Sequence, residues 1–234
     1  HAKAKTEILQ PKEVAMAKMR TEKNMAIAPE ISDKAITLVK NNQELLPITP
    51  EKNKRVLLVE VKGPESAYGK LMAAMSAGKK KPIELMKELL EKAGFEVEIY
   101  ESPIDKMLKL PPQELLGAIM NVYAQKRPIS DLTNNYDLII NVADVPPTAN
   151  QRIQWAPLKG TPDIPFYVNE VPTIFISLQC PFHLADVPQV KTYINAYDSH
   201  DHTVSAIVDK LLGRSEFKGV SPVDAFCGFL DTQV

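Results

Sequence analysis

The densest cluster of chemically able side chains is DSHDH at 198–202, where Asp198, His200, Asp201 and His202 stand almost side by side. Imidazole nitrogens and carboxylate oxygens are the ligands a transition metal takes. The cluster directly precedes an amphipathic run at 203–212, whose apolar members Val204, Ile207, Val208 and Leu211 recur at helical spacing. At a helix start, Ser199 or Asp201 would accept the free N–H groups of the first turn, and acidic charge would suit the positive end of the helix dipole. We read the cluster as a capped helix start, and we assign no metal.

A second concentration lies in the long connection 143–170, which follows an apolar strand and holds Asp144, Arg152, Trp155, Asp163 and Glu170. Ligands of open α/β sheets collect beyond the carboxyl ends of the strands. A structureless connection of this length in a compact domain is functional or mobile. Trp155, the only Trp of the chain, could stack on a sugar, anchor a domain interface together with Arg152, or fasten the loop to the core. Asp144, Arg152 and Trp155 are therefore the candidate substrate-binding or domain-interface residues, expected on the side of the strands' carboxyl ends. Glu170 stands against a strand start, where it reads as an end cap, and His183 in PFHL reads as a turn residue. The chain has no G-x-x-x-x-G-K, no G-x-G-x-x-G and no G-x-S-x-G, so no phosphate loop or nucleophile elbow is indicated and no cofactor is expected.

Short β-branched and aromatic runs position these residues. RVLLVEV at 55–61, YDLIINV at 136–142 and TIFIS at 173–177 are nearly continuous apolar runs, suited to strands buried on both faces. Segments 56–61, 138–142 and 173–177 are expected as central strands. Further strands are expected at 36–40, at the alternating FEVEIY of 95–100, and at 192–196. Helices are expected at 11–24, with Pro29 as its boundary, and at 68–75, 82–93, 111–125 and 203–212. Pro82 fits a first turn, while Gly94 and Gly213 fit left-handed closing positions. On 111–125, Leu115, Leu116, Ile119, Met120 and Tyr123 are expected inward, and Ser32 is a possible N-cap ahead of the ITLV strand. Five or six strands alternating with helices give an α/β fold, a three-layer α/β/α sandwich with a mostly parallel sheet.

Two stretches resemble a known family. Pro172, Ile174, Leu178, Pro181, Phe182 and Leu184, followed by Tyr193, Ile194, Ala196 and Tyr197, match a pattern of the type P-x-I-x-x-x-L-x-x-P-[YF]-x-L and x-x-Y-I-x-A-Y. DKAITLVKNNQELLP at 33–47 matches the entry into the same domain. The chain resembles the C-terminal, second domain of family 3 glycoside hydrolases, closest to the bacterial β-N-acetylglucosaminidase branch. The resemblance implies a six-stranded sandwich whose role is accessory: it buttresses a catalytic (β/α)₈ barrel and shapes one wall of the sugar site. It places the nucleophilic Asp, and in that branch the acid/base His near a K-H-F-P-G type motif, on the barrel. No such motif occurs here and 234 residues are too few for a barrel plus the sandwich, so no catalytic residue is carried over. In the β-glucosidase branch a Glu of the second domain serves as acid/base, and Glu170 is the only Glu of 143–171. The implied organisation is an arm or linker at 1–30 leading from an upstream barrel, the sandwich at 31–219 and a docking tail at 220–234. The implied partners are the N-terminal barrel and a carbohydrate.

Composition narrows the alternatives. Apolar residues make up 44% and charged residues 24%, with a net charge of −1. That is globular, and its whole-protein field attracts neither nucleic acid nor anionic membrane, so neither is expected as a partner. No apolar run approaches the ~20 residues that cross a bilayer. Cys180 and Cys227 form no C-x-x-C pair and read as free thiols of a reducing compartment. Two rival readings stay open: a stand-alone small-molecule or carbohydrate-binding or regulatory module without hydrolase activity, and a flavodoxin-like binder.

Overall fold

The computed structural model describes residues 10–19, 21–61, 63, 80–101, 107, 109–124, 128–146 and 167–234. The apolar runs become strands β1 (Thr37–Asn41), β2 (Arg55–Val61), β3 (Glu96–Ile99), β4 (Leu138–Ala143), β5 (Thr173–Ser177) and β6 (Thr192–Asn195). They form one six-stranded sheet in the order β1-β6-β5-β4-β2-β3. Every pairing is parallel except β1 with β6. The three strands expected at the centre, β2, β4 and β5, are all interior, and every residue of β4 and β5 is buried. β3 alternates exposed Glu96 and Glu98 with buried Val97, as an edge strand with one wet face should.

Register decides which side chains share a face. Val56 pairs with Leu138, Ile140 with Ile174 and Ile176 with Ile194. These side chains meet Met86 and Leu90 of helix α3 (Pro82–Lys92) and Val204, Ile207 and Leu211 of helix α6 (Asp201–Leu211). α3 starts on Pro82 and ends at Gly94 with φ +99, and α6 ends at Gly213 with φ +71, as their sequence signals required. On the opposite face, Phe175 and Tyr193 stack with ring centroids 5.5 Å apart. That face is covered by short pieces: Leu132 of helix α5 (Ser130–Thr133), Tyr167 and Val171, Leu184 of the 3-10 turn His183–Asp186, and Phe226.

Three local expectations are corrected. Helix α2 (Glu22–Ala35) runs through Pro29 instead of stopping there, and Ser32 lies inside it instead of capping it. Proline removes one ladder bond and crowds the preceding turn, and long-range bonds at the helix end offset that cost. Ser32 Oγ lies 2.9 Å from Thr203 Oγ1, and Asp33 Oδ1 pairs with the fully buried Nζ of Lys210 at 3.0 Å. In helix α4 (Pro112–Ala124), Leu116 and Met120 point outward, 71% and 66% exposed, rather than into the core. Periodicity marks an apolar stripe but does not say what covers it. The helix expected at 68–75 lies outside the described residues. Helix α1 (Lys12–Met19) buries no residue.

The tail after α6 is held by a close backbone approach. A Cβ on Gly219 would stand 2.4 Å from the Ala35 carbonyl oxygen and 2.6 Å from that of Ile36. Gly219→Ala must push the strand entry and the tail apart, at about 1–3 kcal/mol. We expect limited proteolysis to cut the variant after residue 219 faster than the parent; equal cleavage rates would refute this.

Candidate functional site at the carboxyl edge of the sheet

The chain goes from β2 outward to β3, then returns to the other side of β2 to begin β4. The strand order therefore reverses between β2 and β4, and the crevice beyond their carboxyl ends is where an open α/β sheet places ligands. The two exits press together there: a Cβ on Gly63 would lie 2.8 Å from Val145 Cγ1. Asp144 follows β4 directly and is exposed. Its Oδ1 accepts from Gln179 Nε2 at 2.5 Å, across from the loop that follows β5. Sequence reasoning found Asp144 and missed Gln179. The signal was there, since Gln179 is the first polar residue after the carboxyl end of a buried strand.

The loop carrying Gln179 is gripped from beneath. Leu178 N donates to Ala143 O at 2.9 Å, Ser177 Oγ to Cys180 O at 2.5 Å, and Asn195 Nδ2 to Pro181 O at 3.1 Å. Ser177 Oγ also lies 2.8 Å from His183 Nδ1. The hydroxyl has one proton and gives it to Cys180, so His183 Nδ1 carries the hydrogen and donates to Ser177. That assigns the neutral Nδ1–H tautomer and leaves Nε2 a buried acceptor that no described side chain meets. Burial drives the imidazole pKa down to about 4, against the opposing charge of Asp186. Ser177 is thus not a nucleophile activated by a base: its proton points away from the ring, and both groups are buried. Burial likewise pushes the Cys180 thiol and the Tyr193 phenol upward. His183 is a turn residue, as expected, but a core one.

Asp198, rather than Ser199 or Asp201, serves the start of α6. Its carboxylate accepts from Thr203 Oγ1 at 2.6 Å and from the backbone N–H of His200 at 3.4 Å, with His200 Nδ1 2.5 Å away. These bonds hold its pKa below the usual carboxylate range despite the desolvation that opposes them. The position before the helix is His200, which makes no side-chain cap. Ser32 joins this chain through Thr203, so the end of α2 is tied to the same edge.

Glu170 lies at the other edge. It is exposed in the turn before β5, so the whole of β5, about 16 Å of strand, separates its level from that of Asp144. A retaining pair needs its carboxyl groups about 5–5.5 Å apart, so Asp144 and Glu170 are not such a pair. Arg152 and Trp155 lie outside the described residues. Among the described residues no group of three His, Cys, Asp or Glu side chains is placed to hold a metal, and no helix is long and apolar enough to cross a membrane. Cys180 and Cys227 are not joined in a disulfide.

No family model matches the chain. A β-N-acetylglucosaminidase/β-glucosidase of Cellulomonas fimi is 35% identical over 212 residues, which are 89% of this chain and 34% of that protein. Among solved structures, β-glucoside phosphorylase BglX superposes with a TM-score of 0.74 at 36% identity, over 99% of this chain and 37% of that one. Its complex with 2FGlc gives 0.72 at 37% identity, covering 97% and 36%. The quoted motif residues lie on and beside β5, its loop and β6. The chain belongs to the family 3 glycoside hydrolases, as their C-terminal domain. It spans about a third of the length of the relatives it matches. As a family 3 C-terminal domain, it pairs the expected α/β architecture with a carboxyl edge on which Asp144 and Gln179 are joined.

Proposed function

We propose that this chain is the accessory domain of a sugar-processing enzyme. It would buttress a catalytic barrel encoded upstream, and its carboxyl edge would form one wall of the sugar site. The observation that carries the reading is the asymmetry of the match: 35% identity over 89% of this chain takes up only 34% of the Cellulomonas fimi enzyme. The path of the chain supports it. β1 is antiparallel, so Thr37 begins beside Asn195, at the carboxyl end of β6. Helix α2 therefore brings preceding sequence to the edge that carries Asp144 and Gln179. Met19, Met25 and Ile31 are exposed along α1 and α2, an apolar surface suited to a neighbouring domain.

The relatives' names divide between hydrolysis and phosphorolysis, and the 36% identity to a β-glucoside phosphorylase makes phosphate the second reading for the whole protein. The test uses the natural reading frame including its upstream sequence. We expect it to cleave β-glucosides or β-N-acetylglucosaminides, and its dependence on inorganic phosphate to separate the two chemistries. Deleting residues 31–234 should abolish activity or raise KM sharply. An enzyme whose kinetics survive that deletion would refute the accessory role.

A further inference from the structure

We propose that Lys210 is a positioning residue: its buried ammonium fixes the direction in which α2 leaves the sandwich, and so the seating of the sequence that enters through α2. The proposal rests on the accessory reading for its relevance to an enzyme. Helix α2 has 14 residues, and its one buried residue is a serine, Ser32. Residues 22–31 are exposed throughout, so the helix stands off the domain and is held at its last turn. Apolar packing does not set the direction of such a helix. Polar ties do, and two of them are made by neighbouring residues. Ser32 Oγ lies 2.9 Å from Thr203 Oγ1 in the first turn of α6, and Asp33 Oδ1 lies 3.0 Å from Lys210 Nζ in its last turn. Thr203 and Lys210 are two helical turns apart, about 10 Å. Successive side chains of a helix leave it about 100° apart, so the two ties hold the roll of α2 about its axis as well as its tilt across α6.

The ammonium is saturated. It has three protons to donate, and three oxygens meet it: Asp33 Oδ1, Ser215 Oγ at 3.2 Å and the Glu216 carbonyl at 2.6 Å. Ser215 Oγ gives its own proton to Asp33 Oδ1 at 2.6 Å, which leaves its lone pairs for Lys210. The ring of Phe217 lies 5.6 Å from Nζ, within the range of a cation over an aromatic face. Helix α2, helix α6 and the tail therefore meet at one charge, on a side chain with no exposed surface. Replacing a buried ion pair by an apolar group of similar volume is often neutral for stability, but an apolar group does not choose a direction as three directed bonds do. The Asp33 side chain is 42% exposed, so water meets its charge once the ammonium is removed. Direction and stability thus come apart in Lys210→Met. Helix α2 is a lever: from Asp33 to Glu22 it spans about 16 Å, and a tilt of about 20° carries Glu22 by ~6 Å.

The experiment measures that lever in this chain. Spin labels on Lys23→Cys and Lys92→Cys, with Cys180→Ala and Cys227→Ser to remove the native thiols, report the distance from the far end of α2 to the end of α3 by pulsed electron resonance. We expect one narrow distribution for the labelled parent. Lys210→Met should broaden it or move it by ~6 Å, while Tm stays within about 4 °C. Ser215→Ala, which removes only the hydroxyl between Lys210 and Asp33, should broaden it less. A distribution unchanged in both variants overturns the proposal. So does a fall of Tm beyond about 10 °C with the distribution intact, which would make Lys210 a core-stability residue only. Where Lys210→Met does not fold, Ser215→Ala decides alone. In the upstream-containing protein, Lys210→Met should raise KM about tenfold and leave kcat nearly as it was, the mark of lost binding rather than lost chemistry. A broadened distribution with KM unaltered, in an enzyme that needs residues 31–234, also overturns the proposal. Should that enzyme need residues 31–234 while distribution and KM both stay unchanged, the clasp fails and the accessory role stands. Should the distribution broaden while the enzyme keeps its kinetics without residues 31–234, the hold on α2 stands and the accessory role fails.

Discussion

Acidification from neutral pH to about pH 4 is expected to cost the fold about 3 kcal/mol through His183 alone. The imidazole is buried, and its folded pKa is about 4 against 6.5 for an ordinary histidine. Between those values the unfolded chain binds a proton that the folded chain refuses. The stabilisation is therefore complete above pH 6.5 and is lost as pH falls towards 4. The physical event is concrete. A proton on Nε2 creates a charged donor in a place where no described side chain accepts it, while the Nδ1–H bond to Ser177 stays as it was. In a domain of this size the loss lowers Tm by roughly 6–12 °C.

Carboxylates contribute too, but in a different window. Asp33, Asp137 and Asp198 are held low, first by the bond from Ser215, by the bond from Arg55 and by those from Thr203 and His200 respectively, each against desolvation. Their contribution is present above about pH 4 and is lost below it, so the difference between parent and variant isolates the histidine. His183→Asn keeps an amide N–H where Nδ1–H stood and removes the titration. The variant should be somewhat less stable at neutral pH and should lack the steep loss between pH 6.5 and 4. Denaturant midpoints across that range measure it. Parallel curves for parent and variant would show that His183 titrates normally and that the clamp on the 178–183 loop is not built as described.

How far the sequence discloses this depends on the range of the interaction. The strands were legible because a run such as LIINV can be satisfied only by burial on both faces, and α3 was legible because Pro82 and Gly94 act within one turn of themselves. Helix α2 was not. The bonds that carry it past Pro29 come from Thr203 and Lys210, some 170 residues away, and no local rule contains them. The same holds at the site. Asp144 was visible as the polar residue after a buried strand. Gln179 obeys the same rule after β5, but it was hidden inside a stretch read for its family pattern. Asp198 was passed over as a cap because capping rules look at the residue next to the helix, whereas its carboxylate reaches Thr203 Oγ1 from five residues back. The buried state of His183 follows from β6 and the 3-10 turn closing over β5, which periodicity does not encode.

The second large effect is an absence of turnover. The isolated chain is expected not to cleave chromogenic β-glucosides or N-acetylglucosaminides, with or without phosphate. Cleavage passes through an oxocarbenium-like transition state, which needs a carboxylate beneath the anomeric carbon and a proton donor above the leaving oxygen. Asp144 stands at the carboxyl edge and Glu170 at the amino edge, a strand length apart, so these two cannot serve one sugar. The buried imidazole of His183 is unprotonated at neutral pH and donates its one hydrogen to Ser177, so it offers no proton to a leaving group. An edge that offers only the joined Asp144 and Gln179 would hold a sugar equally in ground and transition states, and uniform binding does not accelerate chemistry. Enzymatic accelerations of at least ~10⁶ correspond to ~8 kcal/mol of barrier lowering. A single weak contact surface cannot supply that. Assays should run at high chain concentration and for long enough to register slow release of the chromophore. Turnover that disappears in Asp144→Asn or Glu170→Gln would reveal a complete catalytic site on this chain and would sink the accessory reading. Turnover unchanged by both substitutions would point to a contaminating glycosidase, to be removed by further purification. The expected result is a rate equal to the buffer blank, with activity appearing only when the upstream sequence is joined to residues 31–234.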